Sequence, residues 1–287
     1  MVNHDGTILE REACKVSIQN RGYKYGDSLF ETIRIKEGCI CFLEDHYFRL
    51  MASMRMLRME IPMHFTLEFF EAEIQKLISA FEPNSIAKVR FTVDRKEGGL
   101  YTPSTHEVQF LIEAFQGTVD LKKSYEVNLF KDHYVNSGLL STIKSSNRLL
   151  NVVASIYSDE NDLDNCILLN DKKNVVEASN ANLFLVKGQE VITPSLADGC
   201  LNGVARKKII ELLQKMDEFV FVEKSISPFD VQKADELFVT NAIIGVQPVT
   251  KYRKKIFETS FPFQVFQEQQ KLFFQIYQNK KFQHNQH

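Results

Sequence analysis

Lys144 is the residue from which a chemical reading of this chain starts. It lies in S-T-I-K-S-S-N-R-L-L at residues 141–150, among Ser141, Thr142, Ser145 and Ser146, with an apolar run over 149–156 directly after. Small hydroxylated neighbours beside an apolar run predict partial burial, which disfavours an ammonium ion and lowers a lysine pKa. Only the neutral amine attacks a carbonyl carbon, so the setting suits a lysine that bonds to the aldehyde of pyridoxal 5'-phosphate (PLP). Such a lysine needs company: donors for a phosphate, and charged groups that orient a small amino substrate.

Three stretches offer such donors. Residues 42–57 place Leu43, Phe48, Leu50, Met51, Met54 and Leu57 at helical spacing, a stripe that reads as core packing. Arg49 is the exception in it, and its planar fork of donors could clamp a phosphate. A helix over 205–216, led in by Asn202-Gly203, would offer its N-terminal main-chain N–H groups to an anion without using a side chain. The loop D-R-K-E-G-G-L-Y-T-P-S-T at 94–105 carries Arg95 and Tyr101, and loops of this length carry function more often than packing.

Those residues need a scaffold, and the hydrophobic pattern outlines one. Strands are expected at 15–18 and 29–35, with R-G-Y-K-Y-G-D turning between them. Alternation puts Thr32 and Arg34 on one face of the second strand and Glu31 and Ile33 on the other. A helix at 66–80 with Thr66 as its cap follows, then strands at 87–93 and 107–114. Residues 115–125 are polar and contain a glycine, so a linker is expected at 117–123, dividing a domain of 1–118 from one of 124–287 and placing Lys144 early in the second. There, strands are expected at 166–169, 175–178, 182–186, 190–193, 220–223 and 236–240, with helices at 147–158, 205–216, 227–234 and 262–279. The economical architecture is α/β (α+β), two domains sharing a central crevice.

Composition narrows the function classes. The chain has 287 residues, 44% hydrophobic and 25% charged, enough for two modest domains. A formal net charge of -2 and no long basic block argue against a nucleic-acid partner. The first ten residues carry charges, and no stretch of about 18 apolar residues occurs, so a cytoplasmic protein without a membrane span is expected. Five cysteines (Cys14, Cys39, Cys41, Cys166, Cys200) without CxxC spacing and seven histidines without an HxxxH pair support neither a disulfide framework nor a metal site. A polar tail at 278–287, holding His284 and His287, is expected to fray.

Six motifs in order carry a family resemblance: R-G-Y-K-Y-G-D-S-L-F-E-T-I-R at 21–34, H-Y-F-R-L at 46–50, I-K-S-S-N-R-L at 143–149, V-E-A-S-N-A-N-L-F at 176–184, L-N-G-V-A-R at 201–206 and T-N-A-I-I-G-V-Q-P-V at 240–249. Together they resemble the class IV aminotransferases, which are fold-type IV PLP enzymes, over nearly the whole chain. The resemblance implies a small N-terminal α/β domain, a larger strand-rich pseudobarrel domain, PLP as cofactor, an amino substrate, and a homodimer whose sites draw on the neighbouring subunit. Carried onto this sequence, Lys144 holds the cofactor and moves a proton at the substrate carbon. Glu177 pairs with the pyridine nitrogen, and Arg49, the N–H groups of Val204 and Ala205, and Asn241 hold the phosphate. The chain departs from the family's transaminases at Ala205 and Ala242, where threonines are common.

Shared cofactor residues do not decide the reaction. Leu149 stands where branched-chain aminotransferases carry a tyrosine, Phe30 stands where D-amino acid enzymes carry one, and R-K-E-G-G-L-Y is a poor match to the arginine and histidine with which the latter trap a carboxylate. K-x-x-N-R-L at 144–149, Thr32, and N-A-x-x-G-V-x-P-V at 241–249 resemble instead the members that release pyruvate from 4-amino-4-deoxychorismate and leave 4-aminobenzoate for folate synthesis. That likeness implies Thr32 helping to protonate the leaving group, Arg34 and Arg95 facing substrate carboxylates, and Phe30 and Tyr101 on the substrate side. Structural salt bridges stay open for the two arginines. So do an aminotransferase acting on branched-chain L-amino acids or on D-amino acids, and a family-shaped binding protein without turnover.

Overall fold

The computed structural model of the chain describes residues 1–79, 81, 86–269 and 271. They divide into two compact units: Met1–Val119 together with Ile143–Asn147, and Asp120–Thr142 together with the described residues from Arg148 on. The chain returns to the first unit for one short stretch, and that stretch holds Lys144. The expectation that this lysine belongs to the second domain is therefore corrected.

In the first unit the elements run β1 (Val2–His4), β2 (Thr7–Leu9), α1 (Arg21–Tyr25), β3 (Ser28–Lys36), β4 (Cys39–Ile40), α2 (Leu43–Met56), α3 (Leu67–Ile78), β5 (Ile86–Arg95) and β6 (Val108–Gly117). They build an antiparallel sheet in the order β2-β1-β6-β5-β3-β4. One face is a core in which Leu29, Ile33 and Ile35 of β3 meet Leu50, Met51 and Met54 of α2 and Phe70 and Ile74 of α3. Phe91 lies at its centre, 4.6 Å from Phe70 and stacked on Phe110 at 5.3 Å. Thr66 caps α3 by accepting from the Phe69 N–H, as its sequence suggests.

Three local expectations are corrected. Residues 15–18 form no strand, and Val16 and Ile18 are exposed without a neighbouring strand to cover them. R-G-Y-K-Y is a short helix, capped by Asn20 and ended by Gly26 at φ 64, a left-handed conformation that favours glycine. Phe48 is exposed, because helical geometry turns it away from the side holding Leu50, Met51 and Met54.

The second unit runs β7 (Glu126–Leu129), α4 (Leu149–Glu160), β8 (Asn165–Leu169), β9 (Val175–Ala178), β10 (Asn182–Lys187), β11 (Glu190–Thr193), α5 (Val204–Leu213), β12 (Val220–Glu223), α6 (Pro228–Lys233), β13 (Glu236–Asn241), β14 (Gly245–Val249), β15 (Lys251–Tyr252) and β16 (Lys255–Ile256). Its two sheets are ordered β12-β11-β10-β13-β14 and β16-β15-β7-β8-β9. Between β9 and β10 the chain reverses in a tight turn, Ala178 bridging Ala181, so consecutive strands pass from one sheet into the other. This is the strand-rich domain that the family resemblance implied. Pro248 disguises β14 in the sequence, and its place at a sheet edge is where a residue without an N–H is tolerated. A final helix covers 260–269, while the rest of the helix expected to 279, and the tail at 278–287, lie outside the described residues. Among the described residues no helix is long and apolar enough to cross a membrane, and no cluster of His, Cys, Asp or Glu is placed to hold a metal ion.

Candidate active site

Strand β3 places the lysine. Leu29 bridges Ser145 in antiparallel sense, the Phe30 N–H donates to the Lys144 carbonyl at 2.9 Å, and the Ser146 N–H donates to the Ser28 carbonyl at 2.9 Å. Before the lysine, Ile143 enters the first unit's core; after it, Asn147 Nδ2 donates to the Gly26 carbonyl at 3.0 Å. Fastened at both ends, the segment brings Lys144 Nζ to 4.4 Å from the Phe30 ring centroid.

The face of β3 that carries Phe30 also carries Thr32 and Arg34, and pairing sets Thr92, Arg90 and Lys88 of β5 opposite them in that order. Arg90 lies over the same Phe30 ring, its guanidinium carbon 3.7 Å from the centroid. Burial pushes the Arg34 and Arg90 pKa values down, opposed at Arg34 by Cys41 and at Arg90 by Glu113 and Asp94. Guanidinium groups that have lost water to a wall of protein are strong partners for a carboxylate. Arg90 was not among the residues expected from sequence. Its place on β5 was legible, but not the strand that β5 pairs with.

On the opposite, core-facing side of β3, Glu31 meets α2. Arg49 Nε donates to Glu31 Oε1 at 2.8 Å and its Nη2 donates to Oε2, while His46 Nδ1 lies 2.7 Å from the same Oε2. Burial alone would push the Glu31 carboxyl up, but Arg49 and His46 outweigh it and hold the pKa at about 2.

Two candidate ligands have side chains bonded within the fold. Arg95 is buried, with Nε on Asp27 at 2.9 Å, Nη1 on the Arg58 carbonyl at 3.2 Å and beside His106 Nδ1 at 3.1 Å, and Nη2 on the Leu57 carbonyl at 2.6 Å. Asp27 also receives Arg21 Nε at 2.9 Å, and Arg21 Nη1 donates to the Gly98 and Leu100 carbonyls. Arg21 thus fastens the loop at 96–105, while Arg95 ties β5 to the segment after α2. Asn241 spends its side chain on a turn, Oδ1 accepting from the Ile243 and Ile244 N–H groups and Nδ2 donating to the Asn180 carbonyl. Tyr101 is 90% exposed, its ring 5.7 Å from that of Tyr25.

In the second unit, Glu177 of β9 is buried, and its Oε2 accepts from the Leu201 N–H at 2.9 Å and from Asn182 Nδ2 at 3.3 Å. Asn182 Nδ2 also donates to the Leu201 carbonyl at 2.9 Å. Directly beyond, α5 begins at Gly203 without a side-chain cap, with Val204 and Ala205 buried in its first turn. A Cβ at Gly203 would come within 2.0 Å of Asn182 Oδ1, so the loop leaves no room there for a side chain. Burial pushes the Cys200 thiol up to about 12 despite nearby Arg206, which keeps it unreactive. A buried carboxyl group that accepts from two donors and an uncapped helix start are groups that suit the ring nitrogen and the phosphate of PLP.

Each unit thus carries groups that suit a PLP enzyme, and comparison with known proteins gives the family. The family model for amino-transferase class IV matches residues 28–252, and the chain belongs to that family, whose members are PLP-dependent enzymes. It is 27% identical over 262 residues to D-alanine aminotransferase of Bacillus licheniformis, covering 86% of each chain. It is 28% identical over 241 residues to aminodeoxychorismate lyase of Vibrio harveyi, covering 82% of this chain and 86% of that one. Among solved structures, branched-chain aminotransferase of Thermoproteus uzoniensis with norvaline matches with a TM-score of 0.84 at 22% identity, covering 92% of this chain and 91% of that one, and so shares the fold.

Proposed function

We propose that this enzyme releases pyruvate from 4-amino-4-deoxychorismate, with Lys144 holding PLP. The observation that carries the reading is the β3 face that carries Phe30, Thr32 and Arg34, with the Lys144 amine and the Arg90 guanidinium both over the Phe30 ring. One ring and two desolvated guanidinium groups suit a cyclic substrate with two carboxylates better than an alkyl amino acid with one. PLP, when bound, supplies an aldehyde for the amine and a ring that accepts electrons from the substrate carbon. Lys144 would take the ring proton beside the substrate nitrogen, and pyruvate would leave as the ring becomes aromatic. Thr32, on the same face, helps to protonate the leaving group, and Arg34 and Arg90 fix the carboxylates. Glu177 keeps the pyridine nitrogen protonated, while Arg49 and the first-turn N–H groups of Val204 and Ala205 hold the phosphate.

Amino-group transfer is the second reading, favoured by the D-alanine aminotransferase relative at 27% identity. Two assays separate the readings: pyruvate released from 4-amino-4-deoxychorismate, and glutamate formed from L- or D-amino acids with 2-oxoglutarate. Rapid glutamate formation without pyruvate overturns the lyase. Lys144→Ala loses both activities and the visible absorbance of the bound cofactor.

The partner is a second copy of the chain. Leu149, Val152 and Ile156 leave an exposed apolar stripe along α4, with Leu139 and Leu140 exposed as well. Light scattering at the mass of a single chain refutes it.

A further inference from the structure

We propose that Glu31 and His46 are positioning residues that set the Arg49 guanidinium for the cofactor phosphate, an inference that rests on Arg49 holding that phosphate. β3 sends Leu29, Ile33 and Ile35 into the core, and Glu31 shares their side of the strand, where a carboxylate is tolerated only with partners. His46 and Arg49 stand three residues apart on α2, so one turn of helix presents both to this single strand residue. The ionised carboxylate can only accept, so the His46 Nδ1 facing it at 2.7 Å carries the hydrogen. His46 Nε2 is buried without a hydrogen-bond partner, which matches the neutral ring.

The three side chains form a graded series. His46 keeps 1% of its side-chain surface, Glu31 2% and Arg49 11%, so the arginine is the outer member and the other two are its backing. Glu31 grips Nε and Nη2 together, which fixes the plane of the guanidinium rather than merely its charge. An arginine pre-set in this way loses little rotamer freedom when an anion arrives. His46 in turn pins Oε2, so the carboxylate cannot rotate away from the arginine.

The experiment compares PLP with pyridoxal, which lacks the phosphate, by titrating the apoprotein and reading the dissociation constant of each from absorbance. In Glu31→Gln the PLP constant is expected to weaken about tenfold, with pyridoxal changed less than about twofold. His46→Leu, which leaves the Arg49 to Glu31 pair in place, is expected to lose about threefold in the same preference, and His46→Asn, which restores a donor near Nδ1, to recover it. If Glu31→Gln fails to fold, the two His46 variants decide alone. Equal losses for both ligands, or an unchanged preference in every folded variant, overturn the positioning role. Arg49→Ala separates this from the parent reading. A preference lost there but kept in the Glu31 and His46 variants refutes the positioning alone, whereas a preference kept in Arg49→Ala refutes the phosphate assignment and the inference with it.

Discussion

Replacing Gly203 by alanine tests whether the acid Glu177 and the start of α5 are held as one piece. The backbone at Gly203, φ -72 and ψ 138, suits any L-residue, so the substitution adds no backbone strain. Its effect is steric: the new Cβ would sit 2.0 Å from Asn182 Oδ1. Asn182 is buried and cannot swing into solvent, so relieving the contact means giving up its bonds to the Leu201 carbonyl at 2.9 Å and to Glu177 Oε2 at 3.3 Å. A neutral hydrogen bond contributes about 1 kcal/mol and one to a charged group about 2 kcal/mol, giving a loss of roughly 3 kcal/mol. Reduced freedom of the unfolded chain offsets about 0.5 kcal/mol, leaving roughly 2 to 3 kcal/mol of destabilisation in urea unfolding. Asn182→Ala removes the same bonds and the obstruction together. In that background Gly203→Ala should cost no more than about 0.5 kcal/mol, a coupling of about 2 kcal/mol. Affinity for PLP should fall in Gly203→Ala as well, because Glu177 loses a donor. An unchanged urea midpoint, or additive effects of the two substitutions, would show that no such clamp exists.

Arg95→Ala should destabilise the protein by about 3 kcal/mol, since it strips donors from Asp27 and from two main-chain carbonyls, while kcat/KM of the folded protein stays within about threefold. Normal stability with a tenfold or greater loss of kcat/KM, on the order that a lost charged contact gives, would return Arg95 to the substrate. Arg90→Met should lower kcat/KM for a dicarboxylate substrate about 10- to 100-fold with the fold intact, as removal of a charge-assisted contact requires; unchanged kinetics would remove Arg90 from the site. Acid should weaken the fold in two steps. Burial lowers the His46 pKa below 6.5 despite its bond to Glu31, so the unfolded chain takes up the proton first and stability falls as pH drops below 6.5. Glu31, held at about 2 against 4.5 when unfolded, adds about 3 kcal/mol that is complete above 4.5 and is lost as pH falls toward 2. His46→Leu should erase the first step; parallel urea midpoints for the parent and His46→Leu as pH falls from 6.5 toward 4.5 would refute it.

The elements that were legible in sequence are those whose signals are local. β9, β11 and β12 have the expected bounds, because short apolar runs between turn residues mark a strand by themselves. Thr66 announces α3, since a cap needs only the few residues beside it. β1, β2, β15 and β16 escaped because two or three residues show no period. Among the candidate residues, Lys144 stood out by its setting, and Arg49 and Glu177 by the motifs around them. Arg90 did not, and the partners of Arg95 were not legible, because both depend on other elements of the fold.

By itself, then, the chain's sequence settled the kinds of elements and most of their order, and it singled out Lys144 as the candidate lysine. Tertiary structure decided where that lysine belongs. Ile143–Asn147 follows the linker yet pairs with β3 of the first unit, a choice made by hydrogen bonds from Phe30 and Ser146 across more than a hundred residues of chain. It also decided that Glu31 backs Arg49 and that Arg95 turns inward, since a buried charge goes wherever the finished fold has placed its counter-charge and donors.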